Sequence, residues 1–289
     1  MLVVQLFFGA SAALGKIALL AFPAFAIVGF RVGGGALAFC LLQRFRGSLR
    51  LEKSTHYLYF ALFSVFGVVA NQLLFFKGLS LTTAANTSLL AVMIPVFAIV
   101  ISAGLGYEKL TLRKTFGVVI ALVGVIYLLN PSKASFSSET TVGNILIICN
   151  SLSYAIYIAV SKKLFTRYGA LKSIAWVFLL ASVINVPIGI YSLQSIELSG
   201  VSLTSWLALA GVVIFPTILA YYWNAWALAR VEPSIVAIYT YLQPLIGFIF
   251  AVFFLGEIFT TRLFVSALLI FIGVFLVTRK RRREIISKI

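Results

Sequence analysis

The sequence predicts an all-α membrane protein of ten transmembrane helices, arranged as two inverted five-helix repeats. Its composition is the first observation: 62% of the 289 residues are hydrophobic and 10% are charged, against roughly 45–50% and about 25% in soluble domains. The second is a series of apolar runs, each close to the ~20 residues that cross a bilayer. The third is an internal repeat at an offset of 149 residues. Together these exclude a water-soluble globular fold, and the spans leave no room here for an extramembrane domain.

Apolar runs bounded by charged residues, Gly and Pro, or Ser and Thr clusters mark the predicted spans. They cover residues 2–21, 24–43, 56–77, 82–104, 111–130, 142–162, 170–192, 204–228, 233–255 and 260–278. The first run lacks the basic segment and the cleavage site of a signal peptide, so we interpret it as a span. Two longer connections, 131–141 and 193–203, are Ser-rich and nearly free of Lys and Arg. Both are predicted to be external loops.

The distribution of positive charge predicts the orientation. With the N-terminus in the cytoplasm, eighteen of the 23 Lys and Arg residues fall on the cytoplasmic side, and only Lys77, Lys133 and Arg262 fall outside. This bias predicts a multi-pass protein of the cell membrane (plasma or inner membrane) with both termini cytoplasmic. The basic tail, 280–289, continues the RKRRR run directly after the last span. We expect it to bind anionic lipid headgroups and not nucleic acid.

The internal repeat divides the chain into two halves. The offset of 149 residues superimposes Pro95 on Pro244, Glu108 on Glu257, Thr111 on Thr260 and Gly124 on Gly273. Because five spans separate the copies, the second copy enters the membrane from the opposite side. The predicted domains are a first repeat, 1–130, an external linker, 131–141, a second inverted repeat, 142–279, and a cytoplasmic tail, 280–289. Inverted repeats around a midplane site are typical of secondary transporters.

Both halves resemble the EamA repeat of the drug/metabolite transporter superfamily. In each, a helix ending in Ala-Leu or Gly-Leu precedes a helix with a central proline, a glycine and glutamate, a threonine and a glycine-rich helix. The glutamate motif reads Gly106-Tyr107-Glu108 in the first half and Gly256-Glu257, without the spacer, in the second. Lys16 and Arg31 also match the family's opening pattern, whereas Phe8 stands where Trp is usual. The resemblance implies ten spans, a cavity between the halves, and movement of small metabolites by alternating access.

The chain lacks the residues that several other classes of function require. The chain has one His and no Asp, and every Glu lies outside the predicted spans, which argues against a polytopic membrane enzyme and a carboxylate proton relay. No P-loop pattern and no metal-ligand spacing occur, so no cofactor, metal or catalytic residue is predicted. A signalling receptor would not need an inverted repeat. We therefore expect transport to be independent of a membrane Asp or Glu, and substitution of Glu108 or Glu257 to affect folding or gating.

Polar residues at helical spacing inside the spans are the candidates for a substrate site. Gln5, Gly9, Ala12 and Lys16 share one face of the first span, and Asn150, Tyr154, Tyr157 and Ser161 share one face of the sixth. Further polar positions are Asn71, Gln72, Tyr221, Asn224, Tyr239 and Gln243. The alternative is that these side chains only pack helices together. The predicted substrate-binding set is Gln5, Lys16, Arg31, Asn150, Tyr154, Tyr157, Asn224, Tyr239 and Gln243.

Two prolines are predicted to kink spans four and nine at equivalent places. Pro95 and Pro244 each remove a backbone hydrogen bond, which frees the carbonyls of Ala91 and Thr240. The kinks serve either packing alone or a midplane cavity, with the prolines as hinges.

Lys16 and Arg31 are the two cations inside predicted spans, roughly 8–10 Å below the external edge of the hydrocarbon. Their side chains either snorkel outward or meet an anion. Because the spans hold no acidic residue, that anion would be a substrate carboxylate or phosphate. The sequence therefore favours a permease or exporter of an amino acid or another carboxylate-bearing metabolite. The alternative is a multidrug carrier, or a nucleotide- or sugar-type metabolite carrier, of the same architecture.

Overall fold

A computed structural model describes residues 1–129, 138–246 and 261–278, and every regular element in these ranges is helical. The α-helices are α1 (Leu2–Ala18), α2 (Ala24–Arg46), α3 (Ser54–Ser64), α4 (Ala70–Leu81), α5 (Ala84–Ala91), α6 (Met93–Gly104), α7 (Leu112–Leu129), α8 (Ser138–Tyr168), α9 (Ala170–Leu193), α10 (Leu203–Val213), α11 (Ala220–Leu228), α12 (Pro233–Ile238) and α13 (Thr261–Thr278). There are also two π-helical segments (Val65–Val69 and Ile214–Leu219) and two 3₁₀ turns (Leu198–Gly200 and Tyr239–Tyr241). Residues 242–246, after the second 3₁₀ turn, are helical as well. The predicted all-α fold class is confirmed.

Seven described segments are long and apolar enough to cross a membrane. They are Leu2–Leu19, Ala24–Arg46, Ser54–Leu81, Asn86–Gly104, Thr140–Tyr168, Ala170–Leu193 and Leu203–Leu228, with a shorter apolar helix at Phe264–Thr278. The predicted fifth span corresponds to α7, and the tenth corresponds to α13. The ninth begins as predicted with α12, and its second half lies outside the described residues. The basic tail and Glu257 also lie outside them.

Four of the predicted spans are not the uninterrupted helices that hydropathy suggests. A π-helical segment divides α3 from α4 and another divides α10 from α11, while a turn at Val92 separates α5 from α6 and a 3₁₀ turn follows α12. The offset of 149 residues maps Val65 onto Ile214 and Val92 onto Tyr241, so both kinds of interruption recur at equivalent places. In the second π segment Pro216 has no N–H to donate, which disfavours the regular α-helical hydrogen bond there.

The helix boundaries around the middle of the chain also differ from expectation. Helix α8 begins at Ser138, inside the segment predicted as an external loop, and continues to Tyr168 instead of ending near residue 162. Gly169, with φ +77°, separates α8 from α9. This left-handed backbone conformation is accessible to glycine at little cost. Span six is therefore a longer helix that projects beyond the predicted hydrocarbon region.

The two repeats meet through equivalent helices. Helix α2 packs against α9, which is the second span against the seventh, and α7 packs against α13, the fifth against the tenth. A Cβ atom built on Gly29 would lie 2.8 Å from the Cα of Gly189, so the backbones of α2 and α9 are in direct contact. Glycine on both sides permits this approach, as is common between membrane helices.

Helix ends and loops that alternating spans place on the same side of the membrane contact one another. At one end Glu52 of the α2–α3 loop accepts hydrogen bonds from Arg167 of α8, one of them at 2.9 Å from Nε. These bonds lower the pKa of the Glu52 carboxyl. Lys114 of α7 pairs with Glu232 before α12. The hydroxyl of Thr166, beside Arg167, donates to the carbonyl of Ala229, three residues before Glu232, so both ion pairs lie at the same end. The four residues of these two ion pairs come from segments predicted to be cytoplasmic.

Candidate functional site

A cavity of about 80 Å³ lies between the two repeats. It is formed by α1, α2, α4, α5, α6, α8, α11 and the helical residues after the second 3₁₀ turn. Its lining residues are Phe8, Ser11, Arg31, Asn71, Gln72, Phe75, Ala91, Ile94, Asn150, Tyr154, Tyr221 and Gln243. We call this the central cavity. Pockets for small molecules usually measure about 300–1,000 Å³, so the central cavity must widen to admit a metabolite.

Among the described lining residues of the central cavity, Arg31 is the charged one. Its side chain is only 3% exposed, which excludes the snorkelling geometry. Its Nη1 donates to Ser11 Oγ and its Nη2 to the carbonyl of Pro216, both at 3.4 Å. The guanidinium carbon lies 5.0 Å from the ring centre of Phe76. Among the described residues Nε has no hydrogen-bond partner, and no carboxylate forms an ion pair with this cation.

A polar network joins α4, α8 and α11 beside Arg31. Gln72 donates from Nε2 to Tyr221 Oη at 2.9 Å, and Tyr221 Oη lies 3.1 Å from Asn71 Oδ1 and 3.4 Å from the carbonyl of Gly67. Asn150 donates from Nδ2 to the carbonyl of Asn71 at 2.7 Å. Since Gly67 and Pro216 are in the two π segments, both segments present a main-chain carbonyl to a polar side chain of the site. Such π-helical turns are frequent at functional sites.

Two further contacts connect predicted site residues, one across the repeats and one within the second repeat. Gln243 of the cavity lining donates from Nε2 to Gln5 Oε1 at 2.8 Å. Asn224 donates from Nδ2 to Tyr154 Oη at 2.9 Å. Gln5 and Asn224 are both 1% exposed and lie behind the lining residue that each contacts. They position Gln243 and Tyr154 and are not cavity-lining themselves.

Three predicted site residues lie elsewhere. Tyr157 is fully buried, and its ring packs against Gly67, where an added Cβ would lie 2.5 Å from the ring. Tyr239 packs with the second hydrophobic cluster, formed around α7, α13 and the chain after α12. Lys16 also lies apart from the central cavity. The helical spacing of the polar residues predicted that these side chains face the interior of the bundle. Interior positions include those that only pack helices together as well as those that line the cavity.

Lys16 binds the end of a helix. Its Nζ donates to the carbonyls of Leu79 and Thr82 at 2.6 and 2.8 Å, where α4 ends and its last carbonyls lack helical partners. A cation at a helix C-terminus is also favoured by the helix dipole. Thr82 in turn bonds to Asn144 at 2.7 Å. Among the described residues, carbonyl dipoles and not a carboxylate offset the charge of Lys16.

The helix breaks contribute to the cavity wall. Ala91 and Ile94, on either side of the turn at Val92, line the central cavity just before Pro95. Pro244 is buried and follows the lining residue Gln243. The sequence pattern located both prolines, but it missed the π segments, Phe8, Ser11, Phe75 and Ile94. Apolar and small residues such as these are indistinguishable in sequence from ordinary packing positions.

Metal-binding chemistry is not supported in the part of the chain that the structure describes. There, no group of three or more His, Cys, Asp or Glu residues is close enough to hold a metal ion.

Comparison with known proteins agrees with the geometry. The EamA-like transporter family model matches residues 1–130 and 141–279. An uncharacterized transporter from Archaeoglobus fulgidus is 27% identical over 81% of this chain and 81% of its own length. The uncharacterized transporter YyaM from Bacillus subtilis is 19% identical over 93% of this chain and 89% of its own. A crystal structure with a TM-score of 0.77 and 20% identity covers 95% of this chain and 94% of its own and has the same fold. The chain therefore belongs to the EamA-like transporter family and is an integral membrane transporter, not an enzyme.

Proposed function

We propose that the protein carries a small carboxylate-bearing metabolite, with amino acids as the favoured class, across the cell membrane by alternating access. The central cavity is the substrate site, and Arg31 holds the substrate carboxylate. The observation that carries the proposal is a guanidinium only 3% exposed, whose partners in the described residues are neutral oxygens at 3.4 Å.

The energetic argument concerns the unpaired charge. A buried cation is costly in a membrane unless an anion or several strong acceptors offset it. A carboxylate entering the cavity would accept two short bonds from the Arg31 fork, with both partners charged, in place of two long bonds to neutral acceptors. Such bonds contribute about 1.5–3 kcal/mol, equivalent to roughly ten- to hundred-fold in affinity.

The remaining lining suits the rest of such a solute. The amides of Asn71, Gln72 and Asn150 and the hydroxyl of Tyr221 supply donors and acceptors, while Phe8 and Phe75 supply apolar surface. Because the cavity of about 80 Å³ is too small for a free amino acid with its hydration, binding requires the repeats to move apart. Alternating access supplies that movement.

The experiment compares an acid with its uncharged derivative. In proteoliposomes, Arg31→Met should raise the concentration of the transported amino acid that is needed to compete for uptake by at least about ten-fold. It should raise the concentration needed of the methyl ester by less than about two-fold. Lys16→Met is the matched control, because it also removes a membrane cation but one that binds helix carbonyls. Equal loss of acid and ester in Arg31→Met, or an acid-specific loss in Lys16→Met, would contradict the assignment of the carboxylate to Arg31. Uptake of lipophilic cations alone would favour the multidrug alternative.

A further inference from the structure

Glu108 is a nearly buried carboxylate at the end of the bundle that is predicted to be cytoplasmic. Helix α6 ends at Gly104, and Gly106 follows with φ +70°. The N–H of Tyr107 then bonds back to the carbonyl of Ser102 at 2.8 Å. This left-handed turn, which glycine permits, points the glutamate side chain toward the second repeat. Only 4% of that side chain is exposed.

The carboxylate of Glu108 makes its main contacts across the repeats. Its Oε1 accepts a hydrogen bond from the backbone N–H of Ser234 at 3.0 Å, and its Oε2 accepts one from the hydroxyl of Ser234 at 2.5 Å. Ser234 is the second residue of α12 in the second repeat. The Oε2 atom also accepts a bond from Lys114 Nζ at 2.9 Å, and Lys114 bonds to Glu232 Oε2 at 2.5 Å.

The contacts of Glu108 with Ser234 and of Lys114 with Glu232 exist only while the two helix ends are together, whereas the Lys114–Glu108 pair lies within the first repeat. The two bonds from Ser234 have a charged acceptor that is only 4% exposed, which is the stronger kind of hydrogen bond. Ser234 and Glu232 belong to the second repeat, whereas Glu108 and Lys114 belong to the first. When the repeats separate at this end, the carboxylate exchanges Ser234 for water. An interaction that is present in one conformation and absent in the other shifts the ratio of their populations.

We propose that the Glu108–Ser234 contact, here called the cytoplasmic latch, holds the transporter closed at its cytoplasmic end and sets the ratio of cytoplasm-closed to cytoplasm-open molecules. Glu108 is thus a positioning residue for the transport cycle and does not touch substrate. The inference rests on the alternating access of the proposed function and on the predicted orientation. It is independent of the carboxylate substrate.

The test measures access to the central cavity from each side of the membrane. The full chain is placed in vesicles with Cys40 and Cys149 replaced by alanine and with Ala91→Cys as a reporter in the cavity wall. A membrane-impermeant maleimide is supplied on one side at a time, without substrate. Glu108→Gln should raise the labelling rate from the cytoplasmic side about ten-fold and lower it from the external side. Ser234→Ala, which retains the backbone bond, should raise the cytoplasmic rate several-fold.

Two further variants separate a latch from a general structural role. Glu232→Gln removes the other carboxylate bound to Lys114. The side chain of Glu232 is 47% exposed, and its ion pair is therefore weakened by solvent. Because the substitution leaves the buried Glu108–Ser234 contact, it should change either rate less than two-fold. Glu108→Asp retains the charge and should restore much of the parental ratio. The proposal would be overturned if the labelling rates were unchanged in both Glu108→Gln and Ser234→Ala. It would also be overturned if Glu232→Gln changed the rates as much as Glu108→Gln, or if labelling rose only from the external side. If Glu108→Gln fails to fold, Ser234→Ala decides. Because no substrate is present, failure of the acid-and-ester experiment would leave these results intact.

Discussion

At the scale of single residues, the two membrane cations have different environments and therefore different roles. Lys16 is bound by two main-chain carbonyls at 2.6 and 2.8 Å, which act as a built-in counter-charge at the end of α4. Arg31 has two neutral partners at 3.4 Å in the central cavity. Because both cations are predicted at a similar depth, it is the difference in partners that leaves Arg31 as the residue suited to an incoming anion.

We expect Lys16→Met to lower the stability of the protein without changing its preference for acidic solutes. The substitution removes two charge-assisted bonds and leaves carbonyls of α4 unsatisfied, at a cost of about 1–3 kcal/mol. Thermal unfolding in detergent should show a lower midpoint. Lys16→Arg, which retains donors, should recover part of the loss. A midpoint equal to that of the parent would show that the Leu79 and Thr82 contacts contribute nothing to stability.

At the scale of elements, the π segments shape the site. The wider turn at Val65–Val69 brings the Gly67 carbonyl within 3.4 Å of Tyr221, and the turn at Ile214–Leu219 brings the Pro216 carbonyl to Arg31. Gly67 also provides the space for the Tyr157 ring. An α-helical turn with a side chain at this position could not accept the same ring contact.

Gly67→Ala should therefore destabilise the protein and impair transport. The new Cβ would lie 2.5 Å from the Tyr157 ring, and such overpacking costs typically about 1–3 kcal/mol. Gly104→Ala is the control, because no atom lies within 4 Å of the Cβ that it would add. Thermal unfolding and flux report the two effects.

The double variant Gly67→Ala with Tyr157→Leu tests whether the clash is the cause. It should recover part of the stability lost in Gly67→Ala. No recovery would instead implicate the backbone of the π segment itself.

At the scale of the whole molecule, the two repeats interlock through direct backbone contact and through paired ends. Gly29 and Gly189 join the repeats inside the membrane, and the cytoplasmic latch joins them at one end. Gly29 lies near the start of α2 and Gly189 near the end of α9, so their contact lies toward the end of the bundle opposite the latch. Rocking of one repeat against the other requires contacts at the two ends to form and break alternately. The loops that carry these ends must then lie on the predicted sides of the membrane.

A topology experiment checks that requirement. A reporter active only in the cytoplasm should function when fused after Ile289 and should fail when inserted into 193–203, because the charge bias places the first inside and the second outside. This loop contains the exposed turn Leu198–Gly200, which can accept an insertion. A reporter that is active in the loop and inactive at the C-terminus would reverse the side of the membrane assigned to the latch.

The sequence by itself determined the all-helical membrane fold, the limits of most spans and the repeat offset. It also named seven of the twelve lining residues of the central cavity as candidates, four of them in the predicted substrate-binding set. Hydropathy, charge bias and helical periodicity are local properties of the chain, and a bilayer constrains them strongly because every span must be long, apolar and internally hydrogen-bonded. The offset of 149 residues was visible because equivalent turns need the same proline and glycine residues in both repeats.

Only the tertiary structure decided which interior side chains line the cavity and which pack helices. Lys16 and Leu79 are 63 residues apart, and Arg31 and Pro216 are 185 apart, so no local pattern predicts either contact. The π segments likewise depend on neighbouring helices that satisfy the displaced main-chain groups. The partners of a buried charge are fixed by packing between distant segments. Those partners determine that Lys16 caps a helix and that Arg31 lies in the candidate substrate site.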